Sequence, residues 1–269
     1  MFLNLGLIGK PLKHSLSPFI HTRFLKNSGL NGGYCCFETD SGKPLLETLN
    51  FFKRYGFTGF NVTVPHKDEI FDIVDEIDDT ASAVGAVNTV LISDKLKGYN
   101  TDAYGFEQMM LSNECDLQNS KVLLLGAGGS AKAVLYILKK YGVNLTVVNR
   151  SLDKAEKVLK SMNFDNACLE DYTFIKDSNY FDYVINATSI GLTDGKFIDM
   201  SNIECMEAAV DLQYKKGLTP FLEEMYKGGC VTIDGFSMLV HQAAKAFNIW
   251  TGVDPEFSVE EISAELGLI

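Results

Sequence analysis

The stretch Lys121-Val122-Leu123-Leu124-Leu125-Gly126-Ala127-Gly128-Gly129-Ser130-Ala131, followed by a helix-prone segment over 132–140, decides the fold. A short apolar run with no polar alternation is what a parallel strand buried on both faces requires. It ends at once in a G-x-G-x-x-A turn. The first glycine permits the tight turn, the second lets the backbone approach a pyrophosphate, and the small Ala131 allows the helix to pack on the strand. The N–H groups that open the helix then face phosphate oxygens. Glycine-rich turns also join strands to helices for purely structural reasons. The flanking strand and helix are what make this one read as a dinucleotide-binding turn.

Working outward, the next strand, 144–148, ends in Asn149-Arg150-Ser151, with Lys154 three residues on. An NAD site usually places a carboxylate roughly 20 residues beyond the turn, on the ribose hydroxyls. Here the position holds a cation. A guanidinium fork suits a 2′-phosphate, and Ser151 and Lys154 add a hydroxyl and a second charge, so the expected cofactor is NADP. The alternative is that Arg150 and Lys154 are ordinary solvated cations. Strand-like segments recur at 183–186, 208–212 and 230–234, which completes a Rossmann-like unit over 103–237. Upstream, 3–9, 34–38, 59–65 and 86–92 read as strands, with helices over 18–28, 45–55 and 67–84. The class is therefore α/β, with a first unit over 1–102 and a helix over 238–247 expected to pack back on it, so that 238–269 completes that unit.

Composition narrows the partners. With 35 acidic against 24 basic residues the chain of 269 carries a formal charge of -11, which repels nucleic acid and anionic membrane surfaces, so an anionic ligand must be caught by local donors. The six cysteines show no C-x-x-C pair or metal-ligand spacing; they are expected to be buried, reduced thiols, and no metal is expected. The first residues lack a basic leader and no apolar run reaches membrane-spanning length, which points to the cytoplasm.

Three polar clusters in the first unit are not explained by packing. In Ser15-Leu16-Ser17-Pro18, two hydroxyls suit a ligand carboxylate, though Ser17 before Pro18 also reads as a helix N-cap. In Asn61-Val62-Thr63-Val64-Pro65-His66-Lys67, the two-residue period puts Asn61, Thr63 and Pro65 on one side, with Lys67 where the chain turns to a helix. The third is Gly85-Ala86-Val87-Asn88-Thr89 with Asn100-Thr101-Asp102 beyond it.

Taken in order, these segments resemble the shikimate dehydrogenase family, whose members carry Ser-x-Ser-Pro, Asn-Val-Thr-x-Pro-x-Lys, Gly-Ala-Val-Asn-Thr and Asn-Thr-Asp. The resemblance continues through the glycine turn, Asn149-Arg150-Ser151, Asn186-Ala187-Thr188-Ser189-Ile190-Gly191, Asp211–Tyr214 and the segment from Gly235 to Gln242. It covers essentially the whole chain. It implies two α/β domains with the active site in the cleft between them, and NADPH-dependent reduction of 3-dehydroshikimate to shikimate in aromatic amino acid biosynthesis. Ser15 and Ser17 would hold the substrate carboxylate, with Asn61, Thr63, Asn88, Asp102, Tyr214 and Gln242 around the ring. Lys67 matches the catalytic lysine and Asp102 its partner. Gly126, Ala127, Gly128, Gly129, Ser130, Asn149, Arg150, Ser151 and Lys154 match the cofactor loop and 2′-phosphate site; Thr188, Leu212 and Gly235 fall on the cofactor, the last two at its nicotinamide end, and Asp79 is a further cofactor candidate. Lys216, Leu192 and Ser151 depart from the family's usual residues.

Oxidation of a secondary alcohol needs a hydride acceptor and a group that takes the hydroxyl proton. No Tyr-x-x-x-Lys pair or zinc constellation is visible, which leaves Lys67 with Asp102. A free lysine titrates near ~10.4, so base, acid and orienting donor all stay open as roles for Lys67. His14, His21, His66 and His241 are expected to be structural, with no carboxylate spaced to orient them. The rivals are an NAD-dependent quinate/shikimate dehydrogenase, against which Ser17 and Arg150 argue, and a non-catalytic dinucleotide sensor, against which Lys67 and Asp102 argue. Whether the chain acts as a monomer or a homodimer is open at this point.

Overall fold

The computed structural model describes residues 2–192 and 194–268. The chain divides into two compact units, Met1–Gly105 with Val240–Ser258, and Phe106–Leu239 with Val259–Ile269.

The first unit runs β1 (Leu3–Gly9), α1 (Ser17–Asn27), β2 (Gly32–Glu38), α2 (Lys43–Arg54), β3 (Phe57–Val62), α3 (Lys67–Ile73), β4 (Glu76–Ile77), α4 (Asp79–Val84), β5 (Thr89–Ile92) and β6 (Leu96–Tyr99). Its sheet has the order β2-β1-β3-β5-β6-β4, parallel from β2 to β3 and antiparallel through β5 and β6. The helical spacing over 67–84 is broken in two: Val74 turns extended at the end of α3, and Asp78 caps α4 by accepting from the Ala81 N–H at 2.8 Å. One face of the sheet closes over Leu45, Leu49 and Phe52 of α2 with Ile8, Phe60 and Val90. The other buries Leu5, Leu7 and Tyr34 with Ala246 and Trp250.

α5 (Asp102–Ser112) leads out of the first sheet. The second unit then runs β7 (Lys121–Leu125), α6 (Gly129–Lys140), β8 (Asn144–Val148), α7 (Leu152–Ser161), β9 (Cys168–Glu170), β10 (Asn179–Asn186), β11 (Ile203–Asp211), α8 (Pro220–Lys227) and β12 (Val231–Asp234), with α9 (Phe236–Thr251) and α10 (Val259–Glu265) ending the chain. The sheet is parallel throughout, in the order β12-β11-β10-β7-β8-β9. Counted from β7 as the first strand this is the 3-2-1-4-5-6 order of a dinucleotide-binding fold, with its switch point between β7 and β10. Val122, Leu123, Leu124 and Leu125 are all fully buried, as a strand covered on both faces requires.

The later part of α9 belongs with the first unit. Trp250 donates its indole N–H to the Val90 carbonyl at 2.9 Å, and a Cβ on Gly59 would run into that indole. Phe257 packs against Phe24, with ring centroids 5.6 Å apart. Beyond these two anchors, the segment from Val259 groups with the second unit, not with the first as the sequence pattern suggests.

The cysteines also differ from expectation. Cys35, Cys36 and Cys168 are exposed and Cys115 is half-buried, while Cys205 and Cys230 are joined as a disulfide. On β2, at the edge of the sheet, Tyr34 takes the buried position and Cys35 and Cys36 after it stay exposed. Among the described residues no helix is long and apolar enough to cross a membrane.

Candidate functional site

In the first unit the strand register brings the polar residues together. Leu5 pairs with Tyr34 and Leu7 with Asn61, and Asn61 in turn pairs with Thr89, so Tyr34, Asn61 and Thr89 share one sheet face. Tyr34 donates its hydroxyl to Asn61 Oδ1 at 2.8 Å, and Asn61 Nδ2 donates to Thr89 Oγ1 at 3.0 Å. Thr89 Oγ1 donates to Asn88 Oδ1 at 3.0 Å, and that oxygen also accepts from the Thr101 N–H at 2.7 Å. Asn88 Nδ2 donates to Asp102 Oδ1 at 2.7 Å, and Lys67 Nζ donates to Asp102 Oδ2 at 2.5 Å. The donors point one way along this chain, toward the Asp102 carboxylate. Lys67 opens α3 and Asp102 opens α5; their side chains keep 16% and 14% exposure, enough to reach a ligand. Thr101 Oγ1 also meets Gln242 Oε1 at 3.3 Å.

Ser15 and Ser17 lie at the other end of this chain. Leu16, not Ser17, is the N-cap of α1, so the capping reading of Ser17 does not hold. The Ser17 N–H instead donates to Ser15 Oγ at 3.3 Å, and the Ser17 side chain is hydrogen-bonded to Tyr34. No acidic residue stands in the first turn of α1. Thr63 is half-buried against the Gly9 turn. Asn61 is 5% exposed with its amide engaged at both ends, which puts it beneath the site instead of on its surface. Asp79 is exposed at the start of α4 in this unit, while its neighbour Asp78 does the capping.

His21 is fully buried and stacks on Tyr34 with centroids 4.3 Å apart; burial pushes its pKa down to about 3, so it stays neutral. His66 is also fully buried, with Nε2 at 2.9 Å from the Thr39 carbonyl and Nδ1 at 3.3 Å from Ser41 Oγ. Contrary to the sequence expectation, a carboxylate does face it: Glu69 Oε2 is 3.8 Å from Nδ1, one helical turn on. These contacts tie the loop after β2 to the start of α3.

In the second unit the glycine turn follows β7. Gly126 has φ +94°, and a Cβ there would meet Thr188 Cγ2 and the Ala187 backbone, so this position needs glycine twice over. A Cβ on Gly128 or Gly129 would meet no protein atom; the space above the start of α6 is open. Ala131 is fully buried against the strand. The Ala127 N–H donates to Asn149 Oδ1 at 3.2 Å, and Asn149 Nδ2 donates to the Ser151 carbonyl at 2.7 Å. Asn149 therefore couples the turn to the end of β8, where Ser151 caps α7 by position and Arg150 and Lys154 stand exposed. Exposed residues Gly128 to Ser130 with open space over the two glycines, and the exposed cations Arg150 and Lys154, fit a dinucleotide with a 2′-phosphate.

Where β10 and β11 end, Thr188 and Leu212 lead into loops, and Tyr214 packs on Phe236 with centroids 5.9 Å apart. Gly235 presses on the Leu212 backbone so closely that a Cβ could not fit. Between these loops Asp211 is fully buried, and burial pushes its pKa up to about 6. Among the described residues no cluster of His, Cys, Asp or Glu is arranged to hold a metal ion.

Three family descriptions match: shikimate dehydrogenase substrate binding domain over residues 7–90, shikimate / quinate 5-dehydrogenase over 106–212, and shikimate 5′-dehydrogenase C-terminal domain over 235–259. The shikimate dehydrogenase (NADP(+)) of Methanococcus aeolicus is 41% identical over 266 residues, covering 95% of this chain and 94% of that one. The crystal structure of shikimate dehydrogenase from Aquifex aeolicus superposes with a TM-score of 0.87 at 35% identity, over 98% of this chain and 97% of that one. Shikimate 5-dehydrogenase from Thermus thermophilus, solved in complex with NADP(H) and shikimate, gives a TM-score of 0.86 at 33% identity, over 98% and 99%.

Proposed function

The chain belongs to the shikimate dehydrogenase family, and from that premise we infer that it catalyses the reversible reduction of 3-dehydroshikimate to shikimate with NADPH, in the shikimate pathway. The observation that carries the reading is the Lys67–Asp102 pair, formed and partly open to solvent, with Asn88 locking the carboxylate from behind. A dinucleotide sensor would have no use for it.

NADPH supplies the hydride. The chain must then deliver a proton to the carbonyl oxygen as it becomes an alcohol, and take it back in the reverse direction. Lys67 does this: one N–H is committed to Asp102, which fixes the ammonium, and the others are left for the substrate oxygen. Asp102, Asn88 and Gln242 present further donors and acceptors for the ring hydroxyls. At the opposite end, Ser15 and Ser17 hold the carboxylate at the N-terminus of α1, whose positive dipole end and lack of acidic residues let a chain of charge -11 bind an anion. Gly126 to Ser130 and Asn149 hold the pyrophosphate side of the cofactor, and Arg150, Ser151 and Lys154 its 2′-phosphate. The family resemblance assigns Tyr214 to the substrate and Asp79 to the cofactor.

We place the protein in the cytoplasm, in keeping with three exposed unpaired thiols, although the Cys205–Cys230 pair pulls the other way. It acts as a monomer or a homodimer, without nucleic acid. The test is absorbance at the reduced-nicotinamide band with shikimate and quinate, each with NADP and with NAD. Reduction confined to shikimate with NADP is expected; quinate turnover with NAD would move the chain to the dual-specificity branch, and silence in all four would leave the sensor.

A further inference from the structure

A row of residues crosses the second sheet where its strands end: Leu125 pairs with Asn186, Asn186 with Asp211, and Asp211 with Asp234. Asp211 sits in the middle of this row and takes hydrogen bonds from neutral donors. Asn186 Nδ2 donates to Oδ1 at 2.9 Å, the Gln213 N–H to the same oxygen at 3.0 Å, and Thr219 Oγ1 to Oδ2 at 2.5 Å. A carboxylate can accept on both oxygens; an amide here would turn an NH2 group on one of these donors.

These bonds propagate into the two loops that leave the sheet. With its Nδ2 committed to Asp211, Asn186 turns Oδ1 to the Thr188 N–H at 3.0 Å and the Thr188 hydroxyl at 2.7 Å. Gln213, anchored by its own N–H, reaches across with Nε2 to the Thr188 carbonyl at 2.8 Å and the Ile190 carbonyl at 3.1 Å. The loop after β10 and the loop after β11 are thus stitched through two side chains. In this strand order a dinucleotide lies across the switch point. Its adenosine side falls toward β8, where Arg150 stands, so its nicotinamide side falls over β10 and β11.

We propose that Asp211 and Gln213 are positioning residues for the nicotinamide half of the cofactor, holding Thr188 and Leu212 in register while the adenosine half is held independently at β8. This rests on the NADP reading above. It assigns a task to two residues that touch no reacting atom, and separates two halves of one binding site energetically.

The separation is directly measurable by calorimetric titration of NADP+ and of adenosine 2′,5′-bisphosphate, which has no nicotinamide, into wild type, Gln213→Met and Asp211→Asn. Gln213→Met removes two neutral hydrogen bonds and is expected to weaken NADP+ about fivefold to tenfold, with bisphosphate affinity unchanged. Asp211→Asn keeps shape and volume, should shift the same way, and serves if Gln213→Met loses cooperative unfolding. Equal weakening of both ligands would make the network general scaffolding and overturn the proposal, as would unchanged affinity for both. Wild type that bound neither ligand would overturn the NADP reading itself, a result distinct from wild type binding both while the variants match it.

Discussion

Asp102 and Asp211 each stand where strands of their sheet give way to a loop or helix, and the chain treats them in opposite ways. Asp102 meets a lysine at 2.5 Å and keeps part of its surface open, whereas Asp211 is sealed among neutral donors and its carboxyl is pushed up to about 6. A paired, accessible carboxylate can steer a proton donor at a substrate. A sealed one can only hold its neighbours, because nothing from solvent reaches it. On the proposed reading, the first unit puts its buried polarity to chemistry and the second to geometry.

The sharpest way to break this contrast is at its reactive end. Lys67→Ala should lower kcat by roughly 10²–10⁴-fold, the usual worth of a positioned acid–base group, and weaken shikimate far less; steady-state kinetics with a separate binding titration would show it, and equal losses in both would reduce Lys67 to a binding residue. At the sealed end the expected signal is stability. The Asp211 carboxyl binds its proton more tightly folded, at about 6, than unfolded, near ~3.9, so it favours the folded state as pH falls through that window. Thermal unfolding of wild type against Asp211→Asn should show wild type losing about 2 kcal/mol relative to the variant between pH 4 and pH 7, since most of a two-unit pKa difference is lost across that window. A flat difference would mean the carboxylate is not sealed.

Smaller effects sharpen the comparison further. Arg150→Ala should weaken NADP+ by roughly 10- to 100-fold, the range of a charge-assisted hydrogen bond, and leave NAD+ unchanged in the same titration. Tyr34→Phe keeps the stack on His21 but removes the bond to Asn61; a rise in KM for shikimate of about fivefold is expected from one neutral hydrogen bond. A loss confined to kcat would mean that Tyr34 serves the Lys67 end instead of the serine end.

The parallel sheet was legible because 121–125 is apolar at every buried position and stops at a turn whose glycines have steric reasons to be there. Two-residue β4 and four-residue β6, with Gly98 inside it, offered no period to detect, and the break at Val74 hides inside continuous helical spacing. At the site, Lys67, Asn88 and Asp102 stood out through the order of their motifs. Tyr34 did not, since an aromatic residue in a strand reads as ordinary packing, and Thr89 stood inside a motif with no partner that local spacing could name. Asp211 left a usable signal: a carboxylate closing the apolar stretch Ala208, Ala209, Val210 must find donors in the fold, but nothing local says which. The disulfide joins Cys205 of β11 to Cys230 just before β12, 25 residues apart in the chain, a pairing no local spacing announces.

The one-way bonding from Tyr34 through Asn61, Thr89 and Asn88 to Asp102 has a practical reading for anyone altering this protein. Such a chain has a head and a tail, and isosteric exchanges along it are not equivalent. Asn88→Asp would set two acceptors face to face at Asp102, while Thr89→Ser keeps the sense of every link. Hydrogen positions that heavy atoms never reveal are thus dictated from the far end by a single negative charge, and a library of same-shape substitutions would sort itself by whether each preserves that direction.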